Sequence, residues 1–485
     1  MSTPSTSPIP VQSSTKGSSE RHHELTKGLT TRHIQFIALG SAIGTGLFYG
    51  SAGAIELAGP AALLAYVVAG LAVFMVMRSL GEMALREPNA GGSFGRYARQ
   101  YMGPGAGFLV GWMFVIEMLV VAIADVTALA VYLGRWWPDV PAWVWITAVI
   151  LLVTGLNLIH VKVFGETEFW LSILKVGAII AMILGGLAII VFHLGQPGSA
   201  PVGAQNLVEH GGFAPNGMLG ILLSFTVVVF AFGGVETLGL ASAEATEPTQ
   251  AVPRAINTIP WRILLFYILA ISVILCLIPW TEITGDESPF VQIFDALGFP
   301  WAADLLNVIV ITAAFSALNA DSFAIGRMLH GLAAQGDAPA RFARTNGRGV
   351  PFVAVLMVAA ALVIGLILNV LIPENVFTVI AAIATFATVF VWVIILLSHL
   401  GMKRKIARGE IEQGPFSTPG WPVASWLALV FMVLVIVLFA FDESTQPALW
   451  AGIVGTIALV AIERFLVRPR RSAQDAATPS RESTL

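Results

Sequence analysis

Charged side chains are scarce in this chain. Asp, Glu, Lys and Arg make up 11% of its 485 residues, whereas hydrophobic residues make up 56%. Soluble globular domains carry about 25% charged residues. A chain with so little charge cannot cover a water-facing surface, so the composition excludes an ordinary soluble protein and predicts a protein embedded in a lipid bilayer.

Cysteine is also nearly absent. The single Cys276 excludes an intramolecular disulfide and a cysteine-based metal cluster, and the eight histidines are too scattered for a metal site. The chain has no Walker motif, and no βαβ unit surrounds the Gly-x-Gly at 44–46. We expect no metal, no cofactor, no nucleic-acid partner and no enzymatic activity.

Long apolar runs, in contrast, are abundant. A helix needs about 20 apolar residues to cross the hydrocarbon of a bilayer, and we identify twelve such segments. They are 34–55, 60–85, 105–134, 141–160, 167–194, 216–243, 258–280, 301–333, 351–372, 375–400, 422–441 and 446–466. The polar tails 1–30 and 467–485 are predicted to be disordered.

Lysine and arginine alternate from loop to loop. Both tails and the loops after segments two, four, six, eight and ten contain basic residues, whereas the opposite loops contain only Arg135. Cytoplasmic loops of membrane proteins are enriched in Lys and Arg. The pattern therefore predicts a multi-pass protein of the cytoplasmic (inner) cell membrane with twelve spans and both tails in the cytoplasm.

Two of the predicted spans contain glycine-rich interruptions. One is Gly40 to Gly46 in the first segment, and the other is Phe230 to Glu236 in the sixth. Each glycine costs a helix interior about 1 kcal/mol, and irregular backbone at membrane depth is tolerated only where protein buries it or it lines a cavity. An alternative is that these glycines only allow close helix packing.

The spacing of the two interruptions predicts an inverted repeat. Segments one and six are five apart, so two five-helix units would have opposite topology, as in inverted-repeat transporters. Free amides at a half-helix N-terminus attract an anion, and free carbonyls at the opposing end attract a cation. A zwitterion fits both.

Several motifs together resemble one family. The chain is similar to the amino acid–polyamine–organocation superfamily, and more narrowly to bacterial permeases for aromatic amino acids, lysine and GABA. The motifs are Arg32 to Gln35 with Gly40 to Phe48, Leu80 to Ala84, Val161 to Glu166, Glu168 to Trp170 with Lys175, Ala243 to Ala245 with Pro248, and Gly326 to Leu329.

The resemblance implies an all-α membrane protein with a 5+5 inverted repeat of the leucine-transporter type plus two C-terminal helices. The transporter domain would span 31–466, with repeats at 31–200 and 214–400 and extra helices at 420–466. It implies secondary active import of an amino acid, with the proton gradient as driving force, by a monomer or loose dimer. Two alternatives stay open: an exchanger on the same fold, and a non-transporting sensor, which the short tails disfavour.

The resemblance also places the substrate at the two breaks. The amides of Thr45 and Gly46 would hold the substrate carboxylate, and the carbonyls of Ala42, Phe230 and Gly233 its ammonium. Phe230 and Phe232 would form part of an aromatic lid. The full set of implied binding residues is Ala42, Ile43, Gly44, Thr45, Gly46, Asp125, Phe230, Ala231, Phe232 and Gly233.

Charged residues inside spans each cost about 2.5–3.5 kcal/mol at the bilayer centre and need a reason. By comparison with proton-coupled relatives, Lys175 occupies the place of a sodium ion and is a candidate for proton coupling. It could instead snorkel to the cytoplasmic interface. Glu236, after the second break, is a candidate proton switch or a structural cap.

Segment three carries Asp125 and Glu117, eight residues apart on roughly one helical face. Alignment with relatives predicts that both face the pocket. Glu117 departs from the family pattern, so it could couple protons, gate, attract a cationic side chain or pair with a neighbouring span. The acidic Asp321 in segment eight is another departure, which could pair with Arg327 or shape the pocket.

Arg78 and Glu82 are four residues apart near the cytoplasmic end of segment two. An i,i+4 pair on the helix surface is one interpretation. A cytoplasmic gate is the other.

Overall fold

The computed structural model describes residues 43–86, 94–158, 161–192, 202–241, 247–283, 285, 288–346, 350–371 and 376–471. Throughout these ranges the regular structure is helical, and no strand occurs in them. The predicted tail 1–30, residues 31–42 with Ala42, and most of the tail 467–485 lie outside the described residues.

The helices are numbered in chain order. They are α1 Thr45–Phe48, α2 Ser51–Ala58, α3 Ala62–Arg86, α4 Phe94–Met102, α5 Pro104–Gly134, α6 Ala142–Asn157, α7 Val161–Phe192, α8 Gly217–Val228, α9 Thr237–Ala241, α10 Pro248–Asn257, α11 Ile259–Arg262, α12 Ala270–Leu277, α13 Pro289–Ala296, α14 Pro300–Ala334, α15 Phe352–Leu371, α16 Val376–Ala407, α17 Val423–Leu438 and α18 Gln446–Ile462.

Nine helical stretches in the described part of the chain are long and apolar enough to cross a membrane. They are Thr45–Arg86, Pro104–Gly134, Glu166–Phe192, Gly217–Leu240, Thr249–Leu277, Pro300–Ala334, Phe352–Leu371, Phe377–Ala407 and Gln446–Arg471. Two shorter apolar helices, α6 and α17, coincide with predicted spans as well. The described part of the protein is thus all helical, and its long apolar helices indicate a membrane protein.

The first two predicted spans form one helical stretch of 42 residues, Thr45–Arg86. A turn at Gly59–Ala61 separates α1 and α2 from α3 within this stretch. Gly59 has φ +59°, and a Cβ there would lie 2.5 Å from the ring of Pro215. Both the backbone conformation and the lack of space require glycine at this turn.

The long helix α5 lies at the centre of the bundle, where it packs most extensively against α14 and α16. Its side chains are largely buried, including Phe108, Phe114 and Tyr132. Other helices expose large apolar side chains on their outer faces, such as Leu151 and Trp170. Such faces suit contact with lipid rather than water. The polar site described next therefore lies inside a bundle with an apolar exterior.

Candidate functional site

At the first glycine-rich interruption, which we call the first break, a short helix begins directly after an extended glycine. Gly44 is extended, with φ −135° and ψ −158°, and α1 begins at Thr45. The amides of Leu47 and Phe48 both donate to the carbonyl of Gly44 at 3.2 Å. The amides of Thr45 and Gly46 come before the first amide that α1 can satisfy internally. Within the described residues, two backbone donors are therefore available at the start of this short helix.

The second interruption, which we call the second break, lies between α8 and α9, where the helix is interrupted. A short 3-10 turn covers Phe230–Phe232, Gly233 is extended with ψ 150°, and Gly234 has φ +87°. The Ala231 carbonyl accepts a hydrogen bond from the hydroxyl of Tyr267 at 2.7 Å. The Phe230 carbonyl accepts from the amide of Gly233 at 3.0 Å, which leaves it one lone pair for another donor.

The two breaks touch each other directly. A Cβ on Gly46 would lie 2.6 Å from the Cα of Ala231 and 3.1 Å from the carbonyl oxygen of Phe230. Any side chain at Gly46 would push the two broken segments apart. The glycine is therefore required by this close approach, and the exposed backbone groups of both breaks come to one place.

A cavity lies at this meeting point. It is lined by Gly44, Thr45, Gly46, Val121, Asp125, Phe230, Ala231, Gly233, Gly234, Thr237, Ala317, Ala320 and Asp321. Seven of the ten residues predicted from the sequence line it. Of the other three, Ala42 is outside the described residues, Ile43 is buried beside Gly44, and the ring of Phe232 packs away from the cavity against Tyr267, with centroids 4.6 Å apart.

Asp125 and Asp321 place two carboxyl groups in the cavity wall. The hydroxyl of Thr45 donates to Asp125 Oδ1 at 2.5 Å, which joins α5 to the first break. Oδ2 of Asp125 and Oδ2 of Asp321 are buried, and neither has a hydrogen-bond donor among the described residues. Arg327, proposed from the sequence as a partner for Asp321, instead stacks its guanidinium over the ring of Phe323.

Lys175 lies deep in the bundle rather than at its surface. Its side chain is fully buried, and Nζ donates to the carbonyl of Ile43 at 3.2 Å, immediately before the first break. The snorkelling alternative is therefore wrong, because a snorkelling ammonium reaches water. Glu168, one of the lysine's neighbouring charges, accepts hydrogen bonds from Ser316 at 2.8 and 2.7 Å.

Glu236 holds the second break in shape. Its Oε1 accepts from the amide of Gly234 at 3.2 Å, and its Oε2 accepts from the indole of Trp392 at 3.0 Å. The carboxylate thus links the broken backbone to α16.

Glu117 lies next to Glu236 and does not line the cavity. Its Oε1 accepts from the hydroxyl of Thr388 at 2.6 Å. Of the two acidic residues on this helix, Asp125 lines the cavity and Glu117 does not. Glu117 faces α16, and Asp125 faces the breaks.

Glu82 anchors a separate polar cluster at the end of α3. Its carboxylate accepts hydrogen bonds from His399 at 2.9 Å, Gln413 at 2.9 Å, the amide and hydroxyl of Thr418 at 2.8 and 2.9 Å, and from Lys403. We call these five residues the Glu82 cluster. It ties α3 to α16 and to the loop that follows α16.

Arg78 does not form the i,i+4 hydrogen bond with Glu82 that the spacing suggested. It donates to Asn257 Oδ1 at 2.8 Å and to the carbonyl of Ser417, and it stacks on Phe416. The arginine therefore fastens the same loop to α3 from the other side.

Sequence reasoning gave no role to Glu168, Thr388 or Trp392, and it left the role of Asp321 open. Glu168 stood in a quoted motif, and its acidic character inside a span was the available signal. Thr388 and Trp392 carried no signal, because neither residue type is unusual in a membrane helix. Their roles depend on how α16 packs against α5 and the second break.

The comparisons with known proteins agree on one family. The amino acid permease family model matches residues 33–467. The chain is 43% identical to YtnA of Bacillus subtilis (strain 168), described as an uncharacterized amino acid permease, over 91% of this chain and 95% of that protein. It is 40% identical to the amino-acid permease AapA of the same organism, over 94% and 98%. It is 42% identical to the aromatic amino acid transport protein AroP of Escherichia coli O6:H1, over 86% and 91%.

Proposed function

The chain belongs to the amino acid permease family, and on that premise we propose that it imports an amino acid across the cytoplasmic membrane by proton symport. Its relatives are permeases rather than enzymes. We also propose twelve spans with both termini in the cytoplasm, arranged as two inverted five-helix repeats followed by two further helices.

One observation supports the transport proposal: the start of α1 and the break between α8 and α9 meet at Gly46 and Ala231, next to a cavity inside the bundle. The amides of Thr45 and Gly46 supply donors for a substrate carboxylate. The carbonyls of Phe230 and Gly233 supply acceptors for its ammonium. A free amino acid is a zwitterion and uses both.

Alternating access follows from the same arrangement. The breaks divide each helix into two halves that can move separately, while the bound substrate holds the halves together. Asp125 ties α5 to the first break through Thr45. The substrate would therefore bind at the contact between a moving and a static part of the bundle, as in other broken-helix transporters.

Proton coupling is assigned to Lys175, Glu236 and Glu117. Lys175 contacts the first break through the Ile43 carbonyl, and Glu236 contacts the second through the Gly234 amide. Glu117 neighbours Glu236 across the interface with α5. A change of protonation at Lys175 or Glu236 changes a contact with a break, and a change at Glu117 alters the charge beside Glu236. This is the physical link that coupling needs.

Uptake into proteoliposomes tests symport against exchange. Vesicles without internal amino acid receive labelled substrate with an inward proton gradient, and then with the gradient collapsed by a protonophore. Symport predicts accumulation that disappears on collapse. Accumulation that requires internal amino acid and ignores the gradient would show an exchanger instead, and binding without any flux would show a sensor.

The variant Lys175→Ala tests the coupling residue. We expect gradient-driven accumulation to be lost, because the ammonium that contacts the first break is removed. Lys405→Ala is the matched control, since Lys405 is only half-buried at the end of α16 and donates to the carbonyl of Gln100 at 3.4 Å. Folding is checked by size-exclusion chromatography. A Lys175→Ala protein with unchanged dependence on the gradient would remove lysine from the coupling mechanism.

A further inference from the structure

Two buried carboxylate oxygens in the cavity wall have no donor. Asp125 is 1% exposed and Asp321 is 5% exposed, and both line the cavity. Oδ2 of each lacks a hydrogen-bond donor among the described residues, and the two carboxyl groups are close enough to interact with each other. Buried charges in proteins are paired or bind a cation. Two facing acceptors therefore require a proton or a cation between them.

The surrounding protein does not supply enough positive charge. Around the cavity, the described part of the bundle buries the carboxyl groups of Glu117, Asp125, Glu168, Glu236 and Asp321. The buried ammonium of Lys175 is shared among three of them, Glu168, Asp125 and Asp321. Glu168, Glu236 and Glu117 each accept hydrogen bonds from neutral donors of their own. The excess of negative charge thus falls on the pair that faces the cavity.

The rest of the cavity wall fits poorly with an aromatic substrate. Apart from Phe230 and Val121, its lining consists of glycine, alanine, threonine and the two aspartates. An aromatic side chain gains its binding energy from about 150–250 Å² of buried apolar contact. In this cavity an aromatic side chain would remove water from the two carboxyl groups without donating a hydrogen bond to either. The lining of the cavity therefore favours a substrate other than the aromatic amino acids named for the relative AroP.

We propose that the substrate is an amino acid with a cationic side chain, whose ammonium or guanidinium group binds between Asp125 and Asp321. The inference rests on the proposed function, because it assumes that the two breaks hold the amino acid backbone in this cavity. The side-chain cation then supplies the donors that both Oδ2 atoms lack. A proton between the carboxyl groups serves the same purpose in the empty site.

Competition between lysine and norleucine tests the inference on the unaltered protein. The two share a carbon chain, and norleucine lacks only the terminal ammonium. We expect lysine to displace labelled lysine from the reconstituted protein at least about 10-fold more effectively than norleucine does. A hydrogen bond to a charged group strengthens binding by about this factor or more. Phenylalanine should compete no better than norleucine.

The variant Asp321→Asn links the preference to the site. It should reduce the lysine-to-norleucine ratio to about one, measured both by competition and by the thermal shift that each ligand produces. Asp304→Asn is the matched control on the same helix α14, because the Asp304 side chain is 52% exposed and lies 3.4 Å from Arg135. The control should keep the ratio of the unaltered protein.

The outcomes separate this inference from the proposed function. Norleucine or phenylalanine competing as well as lysine would overturn the cationic-substrate assignment and leave amino acid transport intact. An unchanged ratio in Asp321→Asn would overturn the assignment to this pair. No binding of any of the twenty amino acids would overturn the transport proposal and this inference with it.

Discussion

The carboxylate at the centre of the Glu82 cluster and the cavity pair Asp125–Asp321 are all buried, but their hydrogen bonding is opposite. Glu82 receives donors from four side chains and one backbone amide. Asp125 receives one from Thr45, and the Oδ2 atoms of the pair receive none among the described residues. The contrast indicates that a fully satisfied carboxylate holds helices together, whereas an unsatisfied one in a cavity wall is kept for a ligand.

The largest expected effect comes from breaking the satisfied cluster. Glu82→Gln keeps the side-chain shape but leaves Lys403 without its buried anion. We expect it to lower the free energy of unfolding by about 3–5 kcal/mol, as for other buried ion pairs that lose one partner. Thermal unfolding in detergent measures this.

Glu410→Gln provides the control for that change. Glu410 is 46% exposed and lies 3.6 Å from the exposed Arg408, so its replacement should alter stability by less than about 1 kcal/mol. Equal unfolding temperatures for the two variants would remove the structural role assigned to the Glu82 cluster.

An effect of intermediate size is expected at Glu117, whose carboxylate has fewer hydrogen-bond donors than that of Glu82. Its Oε1 has a donor in Thr388, and its Oε2 has none among the described residues. Thr388→Val removes that donor and should cost about 1–3 kcal/mol, because a buried acceptor is then left unpaired.

Thr385→Val, one turn earlier on α16, is the comparison for Thr388→Val. The Thr385 hydroxyl donates only to the backbone carbonyl of Ala381, at 2.8 Å, so its loss leaves no charged group unpaired. If both valine variants unfold at the same temperature, Glu117 does not depend on Thr388.

The smallest expected effect has the opposite sign. Asp321→Asn should raise the stability of the substrate-free protein by about 1 kcal/mol, because the new amide donates a hydrogen bond to Asp125 where two acceptors faced each other. Thermal unfolding without substrate measures it. Destabilisation comparable to that of Glu82→Gln would show that the two carboxylate sites do not differ as described.

Much of the fold could be predicted because its signals are local in sequence. Apolar runs identified the long helices, and the glycines at 44–46 and 233–234 identified the irregular backbone at the start of α1 and between α8 and α9. A glycine that costs a helix stability has to serve some other need, and the contact of Gly46 with Ala231 is that need. The contact itself could be inferred only through the family resemblance.

The parts of the site that could not be predicted from the sequence depend on how segments far apart in the chain pack against each other. The sequence placed Glu117 and Asp125 on one helix, but the packing of α5 against α16 decides that Glu117 binds Thr388 while Asp125 lines the cavity. The Glu82 cluster joins residues more than 300 positions apart in the chain, as in the bond from Lys403 to Glu82. The charges of loop residues predict on which side of the membrane a loop lies, but they do not predict which residue each charge contacts.

The contacts of Asp337 have a practical consequence for handling the protein. Its fully buried carboxylate binds Arg99 on one side and Arg471 on the other, and its backbone carbonyl accepts from the indole of Trp112 at 3.0 Å. A recombinant version cut before Arg471 would remove one of the two cations that neutralise this carboxylate. Affinity tags and truncations therefore belong after Arg471, where they leave this triad whole.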